Sequence, residues 1–302
     1  MNSNDAPATP AASPRASSTP ASAEAFPLTV GQVEAMLRQL APTELAESWD
    51  SNRLICGDPA ELVTSVLLAV DPVEATVNEA IERGVQMLIT HHPLYLHGTD
   101  HVSATNPKGR LIHSLIRAGI ALANAHTSLD SARGGVADAL AAVVGLQNTT
   151  VLSPAPSNPE LGIGRVGTLP APISLRALAE QVAAALPDST PGLLVGGDLD
   201  AKISRIAVSG GAGDSLLGQA RDAGADVFLT ADLRHHPASE HLEGGRPYLL
   251  CGTHWATEWV GLPPLAHHLE ALAQQQGHRL SVTVSQTVTD PWTARVATGP
   301  RG

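Results

Sequence analysis

A strand–helix–strand unit that leads into His-His-Pro occurs twice in this chain, about 140 residues apart, and this repeat limits the fold more than any other feature. In the first copy, residues 63–70 read as a buried apolar strand. Residues 72–84 read as a helix with proline at its start and glycine at its end. Residues 85–90 form a second strand that runs straight into His91-His92-Pro93. The second copy has a strand over 203–208, a glycine-rich loop, a helix over 214–224, a strand over 225–230 and then His235-His236-Pro237. The parallel continues one element further. A strand over 119–125 leads to His126-Thr127-Ser128-Leu129-Asp130, and a strand over 246–251 leads to His254-Trp255-Ala256-Thr257-Glu258. Strands alternating with helices predict an α/β fold. Two pseudo-equivalent α/β lobes facing one another would bring the carboxyl ends of their strands together, where open sheets place ligand crevices.

The body carrying the repeat spans residues 27–290. The expected division is a first lobe over 27–150 and a second over 151–290, with a Pro/Ser linker at 153–159 and a helix over 174–186. Residues 1–26 are nearly all Ala, Ser, Pro, Thr and Asn and read as a disordered tail, and residues 291–302 read as a flexible C-terminal tail. With 18 Lys+Arg against 29 Asp+Glu the net charge is −11, which opposes direct nucleic-acid binding driven by counterion release. Aromatic residues make up 3% of the chain, too few for a base-stacking platform. No apolar run approaches the roughly 18 residues that cross a bilayer, so no membrane role is expected. Cys56 and Cys251 lack paired CxxC spacing, and a reducing, cytoplasmic compartment is the simplest reading.

Thirteen histidines in an acidic, aromatic-poor chain, several at strand ends, imply a metal cluster. Imidazole and carboxylate suit Zn, Fe, Mn, Co or Ni. His91, His92, Asp130, His254 and Glu258 supply that mixture. His254 and Glu258, four apart on a first helical turn, share one face. The adjacent His91 and His92 diverge, so each can serve a different ion, with Asp130 bridging the pair. Two such ions acidify a shared water and give a hydroxide nucleophile without any Ser or Cys. His126 either ligates or orients Asp130, and the second role is preferred. His97, His101, His113, His241, His267, His268 and His278 read as surface or core histidines.

Two further stretches stay open. The loop Ser209-Gly210-Gly211-Ala212-Gly213-Asp214 could cradle a phosphate on its backbone N–H groups, or it is a tight turn where only glycine fits. Asp232 and Arg234 could touch substrate or form a surface pair. Trp255 and Trp259 read as packing of the site wall. No organic-cofactor motif is complete.

Taken together, Thr90-His91-His92-Pro93-Leu94, His126 to Asp130, Ser209 to Gly213, Thr230 to His236 and His254 to Glu258 resemble, in order, the NIF-three-like dinuclear metal-centre family. Its members are often labelled GTP cyclohydrolase 1 type 2 homologues. The resemblance covers the chain from Thr43 to about Leu272. It implies two interlocked α/β lobes, a di-metal site between them and a toroidal homohexamer. The family's ligands fall on His91, His92, Asp130, His254 and Glu258. Its TGD-x-x-x-H stretch falls on Thr230, Ala231, Asp232 and His236, with alanine in place of glycine. Its WDN-x-GL pattern falls on Trp49 to Leu54, with Ser51 and Arg53 departing from it. About 50 residues separate Leu146 from Asp198, so the chain resembles the short form without an inserted domain.

The functional expectation is a metal-dependent hydrolase with a dinuclear centre of two divalent ions, acting on a nucleotide or other phosphate-containing small molecule. Opening guanine at C8 would need a proton donor for the leaving nitrogen, a role for His126 or His236. The alternative is a non-enzymatic metal-binding scaffold or regulatory protein.

Overall fold

The computed structural model describes Met1 and residues 26–299. The 1–26 tail therefore lies almost wholly outside the described residues, as do the last three residues of the 291–302 tail. Residues 291–299 form neither helix nor strand. In chain order the strands are β1 (Leu28–Thr29), β2 (Leu54–Cys56), β3 (Leu62–Val63), β4 (Ser65–Ala69), β5 (Met87–Thr90), β6 (Ala121–Asn124), β7 (Gln147–Ala155), β8 (Asn158–Ser174), β9 (Leu194–Gly196), β10 (Lys202–Ala212), β11 (Val227–Ala231), β12 (Tyr248–Gly252) and β13 (Ser281–Val284). The helices are α1 (Val30–Leu40), α2 (Glu74–Arg83), α3 (Pro107–Arg117), α4 (Thr127–Ser131), α5 (Val136–Val144), α6 (Leu175–Ala185), α7 (Leu217–Asp222), α8 (His235–Glu243), α9 (His254–Trp259) and α10 (Leu262–Gln275).

Two mixed sheets carry the architecture, in the orders β13-β4-β5-β6-β2 and β7-β8-β10-β11-β12-β9. In the first, β13, β4, β5 and β6 are parallel and β2 is an antiparallel edge. In the second, β10, β11 and β12 are parallel, flanked by antiparallel β8 and β9. The repeat is thus real in space: β4-α2-β5 corresponds to β10-α7-β11.

The central strands are apolar on both faces because helices cover both. Val66, Leu68, Met87 and Ile89 pack with α1 and α10, while Leu67, Ala69 and Leu88 pack with α2 and α3. In the second sheet Ile206, Val208, Val227 and Leu229 pack with α5 and α6, and Ala207 and Phe228 with α7. Gly84 ends α2 at φ 63°, a left-handed cap that glycine adopts without a Cβ penalty.

The lobes exchange elements across residue 150. Leu140, Ala141 and Val144 of α5 sit in the second sheet's core. Conversely, Leu262, Leu265 and Leu269 of α10 sit in the first sheet's core, and β13 extends that sheet beside β4. This exchange is the physical form of the interlocking.

Two local expectations are corrected. Residues 153–159 are not a linker: β7 and β8 form an antiparallel hairpin, pairing Pro154 with Gly162 and Ala155 with Asn158. Proline is tolerated there because β7 is the sheet's edge strand and its missing N–H breaks no ladder. Residues 209–212 are not a phosphate-cradling loop but the end of β10. Among the described residues no helix is long and apolar enough to cross a membrane.

Candidate metal centre

The carboxyl ends of the parallel strands of both sheets converge on one cluster. His91 and His92 follow β5 while still in the ladder, their N–H groups donating to the carbonyls of Ala69 and Val70 at 3.0 and 2.9 Å. His126 follows β6, and the short helix α4 presents Asp130, whose N–H donates to the His126 carbonyl at 3.2 Å. From the second sheet, Thr253 caps α9 by accepting from the Ala256 N–H, which sets His254 and Glu258 on one helical face.

Four imidazoles meet there, with ring centroids 5.1–5.3 Å apart for His91–His92, His91–His126, His92–His126 and His92–His254. Each donates from Nδ1 to a fixed acceptor: His91 to the Ala125 carbonyl (3.1 Å), His92 to Asp71 (2.7 Å), His126 to Asp50 (2.7 Å) and His254 to Asp232 (2.6 Å). Anchoring Nδ1 fixes the tautomer and leaves the Nε2 lone pair free to ligate, the arrangement characteristic of metal-binding histidine. Glu258 lies among three of these rings. Its oxygens are 3.5 Å from His91 Nε2, 3.0 Å from His92 Nε2 and 2.9 Å from His254 Nε2. Asp130 Oδ1 is 3.6 Å from His91 Nε2.

Two overlapping groups able to hold an ion result, His91/His92/His126 and His92/His254/Glu258, with ligand atoms within 4.8 Å of one another in each. The residues fit such an ion on a further ground. His91 Nε2, Asp130 Oδ1 and Glu258 Oε2 are buried without a hydrogen-bond partner. Leaving one such atom unpaired costs about 1–3 kcal/mol, and cations held by these side chains would supply the missing partners. The nitrogen–carboxylate donor set suits a divalent transition-metal ion.

Electrostatics agree. Burial pushes His92 and His254 down, but carboxylates outweigh it. Glu258 and Asp71 raise His92 to about 11, and Glu258 and Asp232 raise His254 to about 9. Burial likewise opposes ionisation of Glu258, yet His91, His92 and His254 hold it well below the usual carboxylate range. Asp130 is pushed up, chiefly by burial. The cluster holds positive charge either as protons or as a cation that displaces them.

A cavity of about 1030 Å³ opens above the cluster, lined among others by His92, His126, Asp130, His254 and Glu258. Glycine is needed beside it. Gly211 lies at φ 64°, and a Cβ there would run into Glu258 and come within 3.0 Å of His254 Nε2. Its N–H donates to Thr257 Oγ1 at 3.1 Å, so it is not offered to a phosphate.

The structure therefore brings together His91, His92, Asp130, His254 and Glu258. It also sets His126 against His91 and His92, where sequence reasoning preferred a role orienting Asp130. His236 is not brought in: it is exposed on α8, edge to face with His235 at 5.2 Å and outside the cavity lining. Arg234 pairs with Asp214, freeing Asp232 to anchor His254. Of the seven histidines set aside, none belongs to a candidate metal group among the described residues. The anchors Asp50 and Asp71 were missed. The available signal was a carboxylate just after β4, matching Asp232 just after β11.

Fold and site thus define a two-sheet α/β protein with a histidine–carboxylate group at the lobe junction that could bind metal. The Duf34/NIF3 (NGG1p interacting factor 3) family profile matches residues 28–291, and the chain belongs to that family. A Streptomyces coelicolor protein named GTP cyclohydrolase 1 type 2 homolog is 48% identical over 273 residues, covering 90% of this chain and 96% of that protein. Among solved structures, a Bacillus cereus protein related to NIF3 superimposes with a TM-score of 0.82 at 25% identity, covering 88% of this chain and 99% of the other. A Staphylococcus aureus hypothetical protein gives 0.82 at 29% identity, covering 89% and 100%.

Proposed function

We propose that the chain is a metal-dependent hydrolase whose centre holds two divalent cations and acts on a nucleotide or another phosphate-containing small molecule. The observation that carries this reading is the pair of overlapping ligand groups sharing His92 at the floor of a large cavity. The name of the Streptomyces relative supplies the nucleotide class. Bound there, divalent cations supply Lewis acidity and a counter-charge for a phosphate group.

The chain's own residues do the rest. His91 and His126 would offer Nε2 to one position, His254 Nε2 and a Glu258 carboxylate oxygen to the other, and the single Nε2 lone pair of His92 would serve one of the two, with Asp130 beside the first. Asp50, Asp71 and Asp232 hold the Nδ1 protons and so keep each Nε2 lone pair aimed inward. Buried Trp255 forms part of the wall and excludes water from one side. His126 lines the cavity, and with Nδ1 held by Asp50 its Nε2 can either ligate or carry a proton, not both; exposed His236, outside the lining, receives no role.

Elemental analysis of the purified chain, together with a turnover screen of GTP and other phosphorylated compounds, tests the reading. About two metals per chain are expected, with turnover that Asp130→Asn abolishes while its circular dichroism is unchanged. A fully metal-loaded wild type that turns over none of these substrates favours a metal-binding scaffold instead.

A further inference from the structure

Three of the chain's four tryptophans line one cavity: Trp49, Trp255 and Trp292. Trp255 is buried, but Trp49 and Trp292 are 53% and 65% exposed. An indole left in water forgoes the burial that dominates the energetics of large aromatic residues. Two such indoles at the rim of the cavity that holds the histidine cluster leave aromatic surface available to whatever enters.

The Trp49 ring and the backbone that carries Trp292 are both held in place. Trp49 meets His126 edge to face, with centroids 5.9 Å apart, and the adjoining Asp50 takes hydrogen bonds from His126 and Thr127. Trp292 arrives on a strap fixed at successive points. Trp259 Nε1 donates to the Ser285 carbonyl at 2.9 Å, the hydroxyls of Ser285 and Thr287 donate to Glu79, and Thr289 donates to Asp71. Finally, the Trp292 N–H donates to Asp290 at 3.1 Å. The strap that delivers Trp292 thus ends on the same Asp71 that anchors His92.

We propose that Trp49 and Trp292 form a stacking subsite for the planar heteroaromatic ring of a nucleotide, with the ligand cluster on the cavity floor facing its phosphate. This deepens, and rests on, the hydrolase reading above. An indole face stacks on any base, so the subsite selects for a ring and not for its identity.

Binding of GMP and of ribose 5-phosphate, measured by calorimetry on the full chain as purified, tests it, because the two probes differ only by the base. Wild type is expected to bind GMP at least about tenfold more tightly. Trp292→Ala should cut that preference to about twofold, Trp292→Phe should keep most of it, and ribose 5-phosphate affinity should be the same in all three. Trp49→Ala should likewise reduce the preference. Equal affinity of wild type for both probes, no binding of either, or a preference untouched by both alanine variants overturns the subsite. Turnover of a phosphorylated substrate without ring preference removes the subsite and leaves the hydrolase. Ring preference without turnover does the reverse.

Discussion

His91 and His92 follow β5 without a gap and keep their backbone N–H groups in the sheet ladder, whereas His235 and His236 come after three intervening residues and open the surface helix α8. The first pair has one fully buried member and converges with four other ligand-type side chains; the second pair is exposed, its two rings meeting edge to face. Identical tripeptides in equivalent units therefore differ by their distance from the strand end. A strand terminus fixes side-chain direction, and three extra residues are enough to turn the pair toward solvent. In the second unit the position just after the strand is taken by Asp232, which serves the cluster indirectly through His254.

Substitutions can sharpen this contrast. The largest effect is expected at Glu258, which contacts three of the rings: Glu258→Gln should weaken metal binding by more than about 100-fold, while the His235→Ala/His236→Ala double variant keeps its full metal content by elemental analysis. Equal losses in both would erase the distinction between the two copies. Next come the anchors that follow β4 and β11. Asp71→Ala and Asp232→Ala should each cost about 10–100-fold in metal affinity, read by competition with a chelating dye.

Gly211→Ala tests whether the second unit's strand was shaped for the cluster. Its left-handed φ and the collision with Glu258 should cost about 1–3 kcal/mol in urea unfolding, whereas Gly218→Ala, with nothing within 4 Å of the new Cβ, should cost nothing. The smallest effect belongs to Glu79 on α2, for which α7 shows no counterpart. Burial pushes this carboxyl up, but hydrogen bonds from Ser285, Thr287 and Arg83 hold it below its usual value of 4.5. A lowered folded-state value means the stabilisation is complete above 4.5 and is lost as pH falls through the folded value. Glu79→Gln should cost about 1 kcal/mol at neutral pH and flatten the acid limb of the stability curve measured by thermal melting.

Local pattern carried much of this molecule into view. The strands and helices of both units follow from apolar runs bounded by proline and glycine, and the i, i+4 spacing of His254 and Glu258 survives as a shared helical face. Each ligand-type residue that the sequence singled out after a strand end, from His91 to Glu258, lies at the lobe junction because the strand end puts it there. What escaped has a common cause in long sequence separation. Asp50 meets His126 across 76 residues and Asp71 meets His92 across 21, with no local period to announce either pair. His236 misled because the repeat preserved the tripeptide but not its offset from the strand. The hairpin over β7 and β8 read as a linker because proline at a sheet edge has the same composition as proline in a connector.

The exchange of α10 and β13 into the first sheet has a consequence for biosynthesis. A nascent chain that has emerged only as far as residue 260 already contains every candidate ligand, yet the outer edge of β4 is unpaired and the apolar face destined for Leu262, Leu265 and Leu269 is bare. An open strand edge beside exposed apolar surface invites association with other chains. The first sheet therefore cannot be sealed during translation until the chain has emerged through α10 and β13.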